Sequence, residues 1–185
     1  MTIRFAQPAD ASAILAVYAP YITGSTITFE YEVPPIAEFA GRIRAIQQQF
    51  PYLVAEEEGS LLGYAYASRH RDRPAYQWSV ETSVYVHPAG HRRGIARQLY
   101  TRLFDLLVQQ GYYNAYAGIT SPNPQSESFH RSMGFDYIGT YAKIGYKMGA
   151  WHDVSWFQRT LQPHQINPVI PMPISHVQGE LSAGE

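Results

Sequence analysis

The stretch Ser79–Tyr100, S-V-E-T-S-V-Y-V-H-P-A-G-H-R-R-G-I-A-R-Q-L-Y, holds a lone carboxylate among strand formers and, just after it, a basic turn around a glycine. Val80, Thr82, Val84 and Val86 alternate with Ser79, Glu81, Ser83 and Tyr85, the two-residue period of a strand. Pro88 and Gly90 end it. From Ile95 the period changes, and Ile95, Leu99, Leu103 and Leu107 recur every fourth residue, as on one face of a helix. Gly94 therefore lies in a first helical turn, where backbone N–H groups lack intrahelical partners and the dipole favours anions. A glycine lets an anion approach the backbone, and Arg92, Arg93 and Arg97 add positive charge. The pattern points to a phosphate-bearing ligand; the plain alternative is a solvated basic surface. Glu81 is badly placed in mid-strand unless it faces a cleft or has a partner, and Arg71 and Arg73 are candidates for that partner.

Other reactive groups form no constellation. His87 and His91 stand four apart, but Pro88 and Gly90 between them argue against the helix a metal pair needs, so no metal is expected. His70, His164 and His176 stand alone, and Ser79, Ser83 and Ser126 lack the G-x-S-x-G setting of a serine nucleophile. There is no cysteine, which removes disulfides, a thiolate nucleophile and cysteine–zinc sites.

The elements that must position these groups follow from periodicity and turn residues. A strand is expected at Ile3–Ala6 and a helix from Asp10 to Tyr18. A loop with an extended piece, Thr26–Tyr31, leads to a second helix through Ile36, Phe39, Ile43 and Ile46. Tyr52–Glu56 and Leu61–Ser68 read as a hairpin. The strand at 76–87, the helix at 93–109 closed by Gly111, a strand at Asn114–Thr120 and a short helix at Gln125–Met133 come next. Tyr137–Gly145 and Val154–Leu161 complete the pattern, which is a mixed α/β sheet (α+β) in one domain over residues 1–162. Residues 163–185 turn proline-rich and read as a flexible tail, disordered from Val177, or as an arm that docks on a partner subunit.

Composition narrows the function. A net charge of −1 over 185 residues argues against a general binder of nucleic acid or membrane surfaces. No apolar run approaches the ~20 residues that span a bilayer. M-T-I-R-F-A-Q-P does not read as a signal peptide, so a cytoplasmic location is expected. The fifteen tyrosines are expected mostly as half-buried packing residues.

H-R-R-G-I-A at 91–96 resembles the Q/R-x-x-G-x-G/A pyrophosphate motif of the GNAT acetyltransferase superfamily, and Asn123–Phe135 resembles the segment that closes the same cofactor site. Thr28–Glu30, W-S-V-E-T-S-V-Y-V-H-P at 78–88 and G-A-W-H-D-V at 149–154 resemble the subgroup that acetylates phosphinothricin and methionine sulfone or sulfoximine. The resemblance covers roughly residues 2–161. It implies the GNAT fold, acetyl-CoA as cosubstrate, a small amino acid or analogue as acceptor, and a homodimer. It also implies direct attack in a ternary complex. Rival readings are a GNAT enzyme acting on a protein N-terminus, lysine or polyamine, and a non-catalytic CoA-binding module.

Site residues follow from the same resemblance. Glu81 is the base that takes the acceptor's ammonium proton, directly or through water, unless it only pairs with an arginine. Backbone groups of Arg93, Gly94, Ile95 and Ala96 hold the pyrophosphate, with charge from Arg92 and Arg97. The sequence departs from the motif at His91, where Gln or Arg is usual, and carries the common variant Ala96 in place of the last glycine. Val84, Tyr85 and Val86 form the stretch along which the pantetheine arm adds as to a strand edge. Asn123 and Ser126 belong to the cofactor, although Asn123 also suits a plain turn. His130 stands where many relatives have the tyrosine that protonates the leaving thiolate, and is either that acid or a packing residue. Arg71 and Arg73 are candidates for the acceptor's carboxylate. Phe29, Glu30, Tyr64, Tyr76 and Trp151 are candidates for the pocket wall.

Overall fold

The computed structural model describes residues 1–177, whose strands β1 (Thr2–Phe5), β2 (Tyr52–Glu57), β3 (Ser60–Arg69), β4 (Ser79–Val86), β5 (Asn114–Ser121), β6 (Asp136–Lys147) and β7 (Ala150–Thr160) form one sheet. Their spatial order is β1-β2-β3-β4-β5-β7-β6, antiparallel everywhere except between β4 and β5. Glu58 and Gly59 both adopt left-handed φ, as do Met148 and Gly149, the turn geometry that matches strand twist in two-residue hairpins. The last hairpin places β7 inside the sheet and β6 at its edge, an order that periodicity alone does not reveal.

Helices cover both faces. α1 (Ala11–Gly24) and α2 (Ile36–Gln47) bury Ile14, Val17, Ile22 and Ile43 on one side. α3 (Ile95–Gln110) buries Ile95, Leu99, Leu103 and Leu107 on the other, as its spacing predicts, and α4 (Pro124–Ser132) lies beside it. α1 runs past the predicted end at Tyr18 and through Pro20, because Ile22 continues its buried face. Thr23 and Ser25 hydroxyls then donate to the carbonyls of Ala19 and Tyr21. Several tyrosines are fully rather than half buried. Tyr52 and Tyr64 are buried and stack nearly parallel with the partly buried Tyr66 under α1 and α2, with Tyr85 beside Tyr64.

Two segments depart from the sequence expectation. Thr26–Tyr31 joins no strand and instead hangs on side chains. The Lys147 ammonium, 3% exposed, donates to the carbonyls of Ile22 and Thr28 at 2.7 Å each, and the Tyr18 and Thr28 hydroxyls meet at 2.6 Å. Tyr31 donates its hydroxyl hydrogen to the Tyr146 carbonyl. Burial lowers the Lys147 pKa, but two carbonyl partners remain to stabilise the ammonium.

The chain after Leu161 also behaves differently. The tail read as flexible lies on its own domain through Val177: Met172 and Ile174 amides donate to Gln110 and Gln49 carbonyls, and Ile174 and Val177 are buried in the α3-side core. The expected disorder from Val177 otherwise falls outside the described residues.

At the start of the chain, the Arg4 guanidinium makes two contacts to Asp10, at 2.7 and 2.9 Å, and reaches Glu56 on β2. The Arg4 hydrogen bonds, with one from the Gln7 amide, hold the Asp10 carboxyl below the usual range. A depressed carboxyl pKa stabilises the fold above its unfolded value, and the stabilisation fades as pH falls through the folded value. Asp10→Asn should therefore cost about 1–2 kcal/mol at neutral pH, discounted for the partly exposed guanidinium. Melting temperatures of both proteins should converge below pH ~4, the ordinary aspartate value; a constant gap down to pH 2 would disprove the linkage.

Candidate active site

β4 and β5 pair over only three positions, Ser79↔Asn114, Val80↔Ala115 and Glu81↔Tyr116. Beyond Glu81, β4 stays with β3 while β5 follows β7 as far as Ser121, so a cleft opens between them. Thr82 Oγ1 reaches across to the Tyr116 carbonyl at the apex. The His87 amide donates to the Leu62 carbonyl, so odd-numbered β4 residues bond to β3 and even-numbered ones aim backbone groups into the cleft. Val84 thus offers both N–H and C=O there. Tyr85 does not: its backbone faces β3, and its ring packs against Tyr18 and Tyr64. The Val86 carbonyl is also occupied, accepting from the Tyr21 hydroxyl at 2.6 Å and from His91 Nε2 at 3.1 Å. His91 therefore braces the end of β4 in this structure.

The basic turn ends at the mouth of this cleft. Gly94 is left-handed at φ 77° and is the N-cap of α3, with no side chain capping it and no acidic residue in the first turn. The amides of Ile95, Ala96 and Arg97 consequently await an acceptor, and that is what fits this turn to a pyrophosphate. Arg92 precedes it, also with positive φ, and makes no ion pair among the described residues. The other two arginines are engaged: Arg93 contacts Glu57 at 2.6 Å, and Arg97 donates to the Ser132 hydroxyl. Of these arginines only Arg93 is paired with a carboxylate; Arg92 and Arg97 make no ion pair among the described residues.

Glu81 sits at the apex, where the two strands part, with its side chain 32% exposed. Its closest partner is the residue to which the sequence assigns nothing: His70 Nδ1 lies 3.0 Å from Glu81 Oε1. Arg71, the anticipated partner, is at 3.8 Å from the same oxygen. The His70 ring stacks on Tyr116, 4.3 Å between centroids, and meets Trp156 edge-on at 6.0 Å. Residues on three separate strands build this group, so no local spacing betrays it.

On the far wall, Asn123 caps α4 by accepting from the Ser126 amide, which leaves its amide nitrogen for other partners. His130, 5% exposed, has both nitrogens engaged. A carbonyl accepts only, so Nδ1–H donates to Ser126 O at 2.8 Å, and Nε2 accepts from the Tyr100 hydroxyl at 3.3 Å. Burial lowers its pKa. Burial thus disfavours the cationic form at His130, whose ring links Tyr100 to α4.

The acceptor candidates separate into two places. Phe29 lines an apolar pocket of about 300 Å³ with Ile27, Tyr141, Ile144, Val154 and Trp156. Arg71 and Arg73 border a polar cavity of about 270 Å³ with Arg69 and the tail residue Ile170. Glu30 is taken up by Tyr18 and Arg42 at 3.0 and 2.9 Å, which makes it a loop anchor. Tyr64 is buried in the tyrosine stack, Tyr76 packs edge-on to His70, and Trp151 lies exposed against Tyr146. Among the described residues no cluster of three or more His, Asp or Glu forms a metal site, and no helix is long and apolar enough to cross a membrane.

The split parallel strand pair thus feeds a glycine turn and an uncapped helix. The family model for the acetyltransferase (GNAT) domain matches residues 3–156. The chain belongs to the GNAT family. It is 38% identical over 171 residues to phosphinothricin N-acetyltransferase of Streptomyces viridochromogenes, covering 92% of this chain and 93% of that protein. It is 34% identical to the L-methionine sulfoximine/L-methionine sulfone acetyltransferase of Salmonella typhimurium, covering 89% and 96%. Among solved structures, a GNAT superfamily phosphinothricin acetyltransferase from Sinorhizobium meliloti in complex with acetyl-CoA aligns with a TM-score of 0.87, at 34% identity, over 92% of this chain and 94% of that one. The GNAT chain described here is accordingly an acetyl-CoA-dependent N-acetyltransferase.

In this GNAT chain the arginines of the turn should separate by experiment. Arg92→Glu should weaken acetyl-CoA binding by about 1–3 kcal/mol, the scale of a lost charge-assisted contact. Arg93→Ala, which removes only the Glu57 pair, should leave affinity nearly unchanged. Titration calorimetry of both variants checks this; equal effects would undo the assignment of Arg92.

Proposed function

We propose that the enzyme acetylates the α-amine of a small amino acid or analogue of the phosphinothricin or methionine sulfone type, by direct attack in a ternary complex. The observation that carries this reading is the placement of Glu81. Its carboxylate stands at the apex of the cleft with Arg71 beside it, so an ammonium and a carboxylate on one carbon have complementary charges within reach. The apolar pocket around Phe29 and Trp156 then receives the acceptor's side chain.

Acetyl-CoA supplies the acetyl thioester, whose carbonyl carbon the amine attacks. The chain supplies the rest. Orphan amides at Ile95–Arg97 and the Arg92 charge bind phosphate, and the Val84 edge binds the amide-bearing arm. The Val84 N–H also suits the negative charge that develops on the attacked oxygen. The absence of cysteine removes a thiol relay, and Ser79, Ser83 and Ser126 lack a nucleophile's setting. The reading also takes the enzyme to be a cytoplasmic homodimer: β6 is an unpaired edge carrying exposed Ile138, Tyr141 and Ile144.

Glu81→Gln keeps shape and removes the base. It should lower kcat by roughly 10²–10⁴ while acetyl-CoA affinity stays near wild type. A normal kcat with a lowered melting temperature would reduce Glu81 to a stabilising partner of its neighbours. Arg71→Ala should raise KM for a free amino acid more than for its amide, because only the acid carries the carboxylate. Equal shifts for the two acceptors would remove Arg71 from the acceptor site.

A further inference from the structure

We propose that His70 is the group that takes the acceptor's ammonium proton, with Glu81 behind it. The inference rests on the reading of Glu81 given above and carries it one step further. An ionised carboxylate only accepts hydrogen bonds, so the 3.0 Å contact fixes the hydrogen on His70 Nδ1 and leaves the lone pair on Nε2. Nε2 has no hydrogen-bond partner among the described residues. It is also absent from the buried unpartnered atoms there, Gln110 Oε1 and Trp156 Nε1, so it keeps contact with solvent. A carboxylate behind an imidazole, with the far nitrogen open, holds the tautomer that receives a proton and stabilises the resulting cation.

Three further observations favour His70 over Glu81 as the receiving atom. Glu81 Oε1 already accepts from His70 and lies 3.8 Å from the Arg71 guanidinium, so that oxygen is taken up by its neighbours. The His70 ring meets Trp156, which lines the apolar acceptor pocket, edge-on at 6.0 Å; neither His70 nor Glu81 lines that pocket itself. The ring is also held: Tyr116 stacks beneath it with 12° between planes, and Tyr76 closes one edge. The titratable and charged groups around it are Glu81 on β4, Tyr116 on β5, Arg71 and Tyr76.

The proton balance is simple. One ammonium proton passes to His70 Nε2 and frees the nitrogen lone pair. The C–N bond forms, the C–S bond breaks, and the second nitrogen proton goes to the thiolate. The imidazolium returns its proton to solvent, giving amide, free thiol and one released proton.

Two variants separate proton transfer from mere orientation of Glu81. His70→Asn keeps an N–H in the place of Nδ1 and removes Nε2, and His70→Phe keeps the stacking on Tyr116 and removes both nitrogens. With L-methionine sulfone as acceptor and thiol release as readout, both should lose kcat by about 10²-fold or more. Neither should change KM for acetyl-CoA. His70→Gly, which opens the ring's space, should recover activity on addition of imidazole. A His70→Asn enzyme with near-normal kcat, or a His70→Gly enzyme that imidazole does not restore, would overturn the proposal. If His70→Phe does not fold, the other two variants decide. Glu81→Gln measured alongside keeps the two readings apart. Loss there with a normal His70→Asn defeats only the role of His70, whereas normal turnover in Glu81→Gln defeats the reading of Glu81 itself.

Discussion

The site depends on the parting of β4 and β5 after Glu81. A backbone group that loses its strand partner must find another, and the cleft leaves those of Val84 without one in the sheet. The divergence persists because each strand is held along its length by its other neighbour, β4 by β3 and β5 by β7. What the cleft lacks in hydrogen bonds is what an amide-bearing, phosphate-bearing ligand supplies. The same logic holds at α3, where Gly94 leaves a helix of sixteen residues uncapped. Binding acetyl-CoA should thus complete the secondary structure of the domain, and the stability of this region should rise with the ligand.

Much of this was legible in the sequence, because strand alternation, the glycine turn and helical spacing are local signals. The β4–turn–α3 unit falls within a few residues of its predicted bounds, and Asn123 appears at a helix start where a turn residue was read. What the sequence hides is long-range. His70 is eleven residues from Glu81 in sequence and becomes its partner only through the antiparallel register of β3 and β4, which pairs Ser68 with Glu81. Lys147 is more than a hundred residues from the carbonyls that it binds. Lys143 and Lys147 stand four apart in one strand, and nothing local marks which of them will be buried.

Packing also corrects charge-based reasoning. Arg93 lies in the motif and looks equivalent to Arg92, yet an ordinary ion pair with Glu57 occupies it. His130 looks like a proton donor by position, but burial lowers its pKa, and both ring nitrogens already have partners. Counting charges near a motif overstates the number available to a ligand, since exposed cations readily find surface partners.

The two halves of the site are built on different physics, and this bears on how specificity arises. The cofactor half uses backbone groups of β4 and α3, which change little when side chains are substituted. The acceptor half hangs on a loop without secondary structure, fastened by Lys147, Tyr18 and Glu30, with Phe29 set against Gly145. An ideal Cβ on Gly145 would stand 2.2 Å from the Phe29 ring, so even alanine there must displace the aromatic wall of the pocket. On the proposed function, acceptor choice in this chain therefore rests on a few fastening residues remote from the reacting atoms, while the thioester end stays fixed by the sheet.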